Sequence, residues 1–213
     1  MPARSGPEAL ESTPPLTQAN LTAPSTASQI AYGFGALAYG VKNQGFDYFF
    51  LIFYSQVMGV DATLVGLSLL IALAIDALTD PVVGYLSDNT HSRWGRRHPF
   101  MYFAALPVSL CYFFIWNPPA SLTGNELFPY ITGMAVLVRL LITLYEVPSS
   151  SLVAEFTDDY DQRTKLLSYR VFFGWSGGTI VGAIALSTLL VPTETISNGF
   201  FNIAGFGQYG LMA

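Results

Sequence analysis

Leu69-Leu70-Ile71-Ala72-Leu73-Ala74-Ile75-Asp76-Ala77-Leu78-Thr79-Asp80-Pro81-Val82-Val83-Gly84 is an apolar run with two carboxylates in it. Asp76 and Asp80 stand four residues apart, so a helix carries both on one face. A charged side chain at the bilayer centre costs about 3 kcal/mol on insertion scales. Two on one face call for something positive beside them.

The rest of the chain supports a membrane setting for that run. Of its 213 residues, 52% are hydrophobic and only 11% are charged. A water-soluble domain carries about 25% charged residues. The apolar residues are bunched into long runs, which predicts an all-α membrane protein with the lipid bilayer as its first partner. The net charge of -5 is scattered and no basic stripe exists, which argues against nucleic acid. The single Cys111 excludes a disulfide within the chain. His91 and His98 flank a basic loop and are not expected to be ligands. Residues 1–28 are rich in Ser, Thr, Pro and Ala and read as a disordered cytoplasmic tail. They lack the order of a signal peptide.

Residues 29–213 read as one transmembrane helical bundle. Five spans are predicted, at about 30–58, 63–86, 100–116, 128–153 and 167–191. The stretch 192–208 is polar, and 210–213 opens a sixth span. Arg93, Arg96 and Arg97 follow the second span, and Arg163 and Lys165 follow the fourth. The other loops hold no Lys or Arg, so the basic loops and the amino terminus are expected on the cytoplasmic side of the plasma (inner) membrane. Gly174, Gly178 and Gly182 recur every four residues, and Gly33, Gly40 and Gly45 mark the first span. Both sets predict close helix packing.

Seven ionisable residues fall inside the spans: Lys42, Asp47, Asp76, Asp80, Arg139, Glu146 and Arg170. At a helical rise of about 1.5 Å per residue, Asp47, Asp76 and Arg139 fall roughly 16–20 Å below the outer ends of their spans. Asp80, Glu146 and Arg170 lie lower. The spacing places Asn43 with Asp47, and Arg139 with Glu146, on common helix faces. Two polar layers lining one cavity are expected. Four negative charges face three positive ones, so a bound Na⁺ or a proton would neutralise the set. Pro81 also withholds an N–H from the Ala77 carbonyl, which leaves that oxygen free for a hard cation or simply kinks the helix.

Beyond the second span runs Gly84-Tyr85-Leu86-Ser87-Asp88-Asn89-Thr90-His91-Ser92-Arg93-Trp94-Gly95-Arg96-Arg97-His98-Pro99. It resembles the loop motif between the second and third spans of the major facilitator superfamily. Gly84, Asp88, Arg93, Gly95, Arg96 and Arg97 carry the resemblance, and it implies a conformational switch made of charge contacts. The longer spacing is similar to that of the glycoside-pentoside-hexuronide:cation symporters, melibiose permease among them. Tyr32-Gly33-Phe34-Gly35-Ala36, Asp76-Ala77-Leu78-Thr79-Asp80-Pro81, Tyr145-Glu146-Val147-Pro148 and Tyr169-Arg170-Val171-Phe172-Phe173 resemble that family over about residues 30–190.

The resemblance implies the amino-terminal helical bundle of a major facilitator fold, with the carboxy-terminal half missing as a partner. It also implies a secondary active transporter that couples Na⁺ or H⁺ to a sugar or glycoside-like solute. No cofactor other than the coupling ion is implied. Asp76 and Asp80 are expected to hold the cation. Asp47, Glu146, Arg170, Lys42, Arg139 and Asn43 are expected to meet the solute. Three positions depart from the pattern. Gly40 stands where melibiose permease has a sugar-binding aspartate, Leu73 where it has an arginine and Ser150 where it has a tryptophan. Asp47, seven residues beyond Gly40, is expected on the same face as its substitute. The same fold moving a lipid or amphiphile, and a non-transporting receptor or fragment, are the alternatives. A membrane phosphotransferase with a metal-binding Asp-x-x-x-Asp is more remote, because the upstream acidic pair it needs is missing.

Overall fold

The computed structural model describes residues 25–192 and 197–213. The expected tail therefore lies outside the described residues up to position 24. Its last part does not fit a disordered tail. Ser25 caps α1 (Thr26–Phe34), its hydroxyl accepting from the Ser28 amide at 3.2 Å. After α1 come α2 (Leu37–Gln44), α3 (Ala62–Asn89), α4 (His98–Trp116), α5 (Phe128–Ser151), α6 (Val153–Phe156), α7 (Tyr160–Ile184) and α8 (Ile203–Met212). No strand occurs among the described residues. Four helical stretches are long and apolar enough to cross a bilayer: Ala62–Asn89, His98–Trp116, Gly124–Phe156 and Tyr160–Leu189.

The segment expected as one span at 30–58 is not one α-helix. It breaks between α1 and α2 at Gly35-Ala36, where the Ala36 amide takes a tighter bond to the Gly33 carbonyl at 2.9 Å. The Gly35 carbonyl accepts instead from the Tyr145 hydroxyl at 2.9 Å, so the break leaves no orphan oxygen there. Two π-helical turns follow, at Gly45–Phe49 and Ile52–Val57. They widen the backbone and rotate its register, which a plain period of 3.6 does not foresee.

Two further boundaries move. Asp159 caps α7 by accepting from the Asp161 amide at 2.8 Å, so the fifth span begins at Tyr160 and carries Arg163 and Lys165 on the helix. The stretch read as a polar tail contains α8. Asn202 caps it by accepting from the Gly205 amide at 3.2 Å. Phe206 and Tyr209 then bury themselves against Phe53 and Trp116. Residues 193–196 of that stretch lie outside the described residues.

The glycine rows do what close packing requires. A Cβ on Gly40 would stand 1.8 Å from the Gly174 carbonyl oxygen, and one on Gly178 would stand 2.5 Å from the Gly40 carbonyl oxygen. The α2 and α7 backbones thus touch without side chains between them. On the other side α3 packs on α5, and α4 on α5 and α8. An aromatic cluster of Phe50, Phe53, Tyr54, Trp116, Phe206 and Tyr209 closes the core near the end opposite the basic loop. Trp116 and Phe206 stack at 5.9 Å, and the Tyr54 hydroxyl donates to the Ile115 carbonyl.

Candidate functional site

The α3–α5 contact assembles the first polar group. Asp76 Oδ2 accepts from Arg139 Nη1 at 2.9 Å. Asp76 Oδ1 lies 2.8 Å from Thr143 Oγ1, and Asp80 Oδ1 lies 3.0 Å from that same oxygen. Arg139 and Thr143 are four residues apart, so α5 presents both on one face to the aspartate face of α3. Thr143 is buried, Asp76 half-buried and Asp80 exposed. One hydroxyl carries one hydrogen and donates fully to one carboxylate at a time. The other carboxylate has room for a proton of its own or for a cation. Among the described residues no three His, Cys, Asp or Glu side chains gather to hold a metal. A cation here would have two carboxylates, a hydroxyl and further neutral oxygens as ligands.

The α5–α7 contact assembles the second group. Arg170 Nη2 donates to Glu146 Oε1 at 2.5 Å, and Nη1 donates to Ser149 Oγ at 2.7 Å. The guanidinium carbon lies 5.1 Å from the centre of the Tyr32 ring. Arg170 is only 5% exposed, and Glu146 Oε2 is buried without a hydrogen-bond partner among the described residues. A buried carboxylate oxygen with nothing donating to it is a vacant acceptor. Arg139 and Glu146, expected on one face of α5, are each committed to a different neighbouring helix.

Three expected solute residues, Lys42, Asn43 and Asp47, form no ion pair or side-chain hydrogen bond with these groups among the described residues. Lys42 is buried and lies 4.8 Å from the centre of the Tyr39 ring, with no ion pair among the described residues. Asn43 is half-buried, and Asp47 is exposed within the first π-helical turn. Gly40 and Asp47 do not share an environment: Gly40 packs on Gly174, while Asp47 is open. Asp47 sits inside the π turn that starts at Gly45, which shifts its register relative to Gly40.

The basic loop forms a third group. Asp88 Oδ1 accepts from Arg97 Nη2 at 2.7 Å and from Nε at 3.2 Å. Arg97 also donates to the Ser151 carbonyl and lies 3.3 Å from Glu155 Oε1, which Arg96 Nη2 meets at 2.9 Å. One buried guanidinium therefore ties α3 to the junction of α5 and α6. Gly95 supplies a left-handed turn residue at φ 93° that a side chain would strain. Arg93, expected in the same cluster, lies instead over the Trp94 ring at 5.0 Å. The left-handed Gly95 stands between it and the two paired arginines. A Cβ on Gly84 would meet only Val147 Cγ1, at an ordinary 3.6 Å, so packing does not require that glycine.

Thr143, Ser149, Ser151 and Glu155 were not singled out from the sequence. The hydroxyl residues carry no signal inside an apolar helix. Glu155 had one, as an acid at the same membrane face as the arginine loop.

A family model described as MFS/sugar transport protein matches residues 31–212. The chain belongs to that family. It lies in the glycoside-pentoside-hexuronide:cation symporter branch that its aspartate pair and loop resemble. The chain is 32% identical over 183 residues to the inner membrane symporter YicJ of Escherichia coli, covering 85% of this chain and 38% of YicJ. It is 29% identical over 160 residues to the isoprimeverose transporter of Lactiplantibacillus pentosus, covering 73% and 33%. It is 28% identical over 158 residues to the sodium-dependent lysophosphatidylcholine symporter 1-A of Danio rerio, covering 72% and 29%. The chain thus spans about a third of the length of these relatives. The family is one of transporters, so the phosphotransferase alternative falls, and the chain is part of a multi-pass membrane protein.

Proposed function

We propose that this chain supplies the cation site and one wall of the solute site of a secondary active transporter, coupling Na⁺ or H⁺ to a sugar or glycoside-like solute. The observation that carries this reading is the Thr143 hydroxyl shared by Asp76 and Asp80, with Arg139 already on Asp76. Once Arg139–Asp76 and Arg170–Glu146 are closed, the aspartate pair keeps one uncompensated negative charge, on Asp80. A cation or proton arriving there neutralises the pair, and the solute then enters a site whose charges balance. Glu146, with its vacant oxygen, and Arg170 offer an acceptor and donors to sugar hydroxyls. Lys42, Asn43, Asp47 and Arg139 complete the solute side in this reading. A second helical bundle supplies the opposite wall, and the basic loop and amino terminus face the cytoplasm of a cell whose inner membrane holds the protein.

The test uses the full gene product in proteoliposomes, with an imposed Na⁺ or pH gradient and a panel of labelled glycosides. Gradient-driven uptake that disappears in Asp80→Asn supports the reading. Equal uptake with and without both gradients, or full coupling in Asp80→Asn, overturns it. A second reading, an amphiphilic solute, is favoured by Gly40. A side chain there would collide with Gly174, so a sugar-binding carboxylate has no space at that position. The lysophosphatidylcholine symporter is among the relatives, and its solute belongs in the same panel.

A further inference from the structure

Arg93 is the loop arginine that the charge cluster leaves over. Arg96 and Arg97 are taken by Glu155 and Asp88, whereas Arg93 forms no ion pair among the described residues. Its guanidinium lies over the Trp94 ring at 5.0 Å. Trp94 in turn meets Tyr102 edge-on at 6.4 Å, and the two rings border a cavity of about 370 Å³. Tyr102 begins a row on α4, Tyr102, Leu106, Leu110 and Phe114, spaced four residues apart with every member at least half exposed. Positive charge, amphipathic rings and an apolar row therefore succeed one another from the end of α4 into its span. That order matches a phospholipid from headgroup to acyl chain.

We propose that this corner binds an anionic phospholipid, with its phosphate at Arg93, its glycerol region against Trp94 and Tyr102, and an acyl chain along the α4 row. The charge argues for an anionic lipid over a zwitterionic one. A zwitterion brings its own cation beside the phosphate, whereas an anionic headgroup leaves Arg93 as the counter-charge. Arg93 sits in the turn closed by the Gly95 amide on the Ser92 carbonyl at 3.0 Å. A lipid held there steadies the turn that delivers Arg96 and Arg97 to their acids.

The experiment titrates the purified full gene product with phosphatidylglycerol or phosphatidylcholine of matched chains and counts bound lipids by native mass spectrometry. Wild type is expected to prefer phosphatidylglycerol by about fivefold at one site, the factor that one arginine near an anionic surface supplies. Arg93→Gln brings the ratio to one, and Arg93→Lys keeps it. Lys165→Gln, an exposed basic change on α7, leaves it intact. Raised salt lowers the ratio in unmutated protein, which reads the charge without any substitution. A wild-type ratio of one, an unchanged ratio in Arg93→Gln, or an equal loss in Lys165→Gln overturns the site.

Discussion

Asp76 and Arg139 hold each other across the α3–α5 contact at 2.9 Å, with both side chains less than a fifth exposed. The two aspartates are therefore not equivalent. Asp76 is spoken for by a guanidinium, and Asp80 is not. The pair divides into a carboxylate paired with a guanidinium and one without an ion pair among the described residues, although the sequence shows them only as a repeat.

Asp76→Asn leaves Arg139 without its counter-charge and is expected to destabilise the full protein by about 3 kcal/mol, the low end for breaking a buried pair. Arg139→Gln in the same background should recover at least half of that loss. Thermal melts of the detergent-solubilised protein check both. A double mutant no better than the single one would disprove the pairing.

Asp80→Asn is expected to behave in the opposite manner. The side chain is exposed and has one hydroxyl neighbour, so the melting temperature should move little. The shift in melting temperature that Na⁺ or Li⁺ gives to wild type should vanish. An Asp80→Asn protein that is still protected by the cation would move the site elsewhere.

Gly40→Ala forces a methyl group into the Gly174 carbonyl and is expected to cost about 3 kcal/mol, the upper range for overpacking. Gly66→Ala is the control, since its Cβ would meet nothing within 4 Å. The two melting temperatures, measured side by side, separate helix approach from general intolerance of change.

Arg97→Gln removes donors to Asp88, Ser151 and Glu155 together, while Glu155→Gln leaves the Asp88 contact standing. The first should shift the conformational balance more than the second. Cysteine labelling of the full protein on either side of the membrane reports that balance. Equal shifts would mean that Asp88 contributes nothing.

At the other end of α3, the Thr63 amide donates to Asp61 at 2.7 Å and holds this carboxyl below its ordinary value of 3.8. The folded value is the lower one. The cap therefore contributes above about pH 3.8 and is lost as the pH falls through the depressed value. Hydrogen exchange at the first amides of α3 should quicken over that acid window in wild type. In Asp61→Ala those amides should exchange fast at every pH.

Local spacing made much of this legible. Asp76 and Asp80 had to share a face and the glycine rows pointed to close contacts, while the loop resemblance implied charge contacts for Asp88. What spacing cannot carry is partner choice across helices. Nothing in the order of Arg93, Arg96 and Arg97 tells which one turns inward; the left-handed Gly95 stands between Arg93 and the other two. Thr143 was hidden because a threonine in an apolar helix usually bonds its own backbone. The break at Gly35-Ala36 and the π turns were hidden because the hydrogen-bond ladder changes step across 30–58 with no Pro to mark it.

The break between α1 and α2 is fastened by the Tyr145 hydroxyl, and the next residue in the chain is Glu146, which grips Arg170. One turn of α5 thus holds the joint of the first segment with one side chain and a charge of α7 with its neighbour. A shift of that turn of α5 would strain both contacts together. The bend of the opening segment and the charge on α7 would then answer to a single lever.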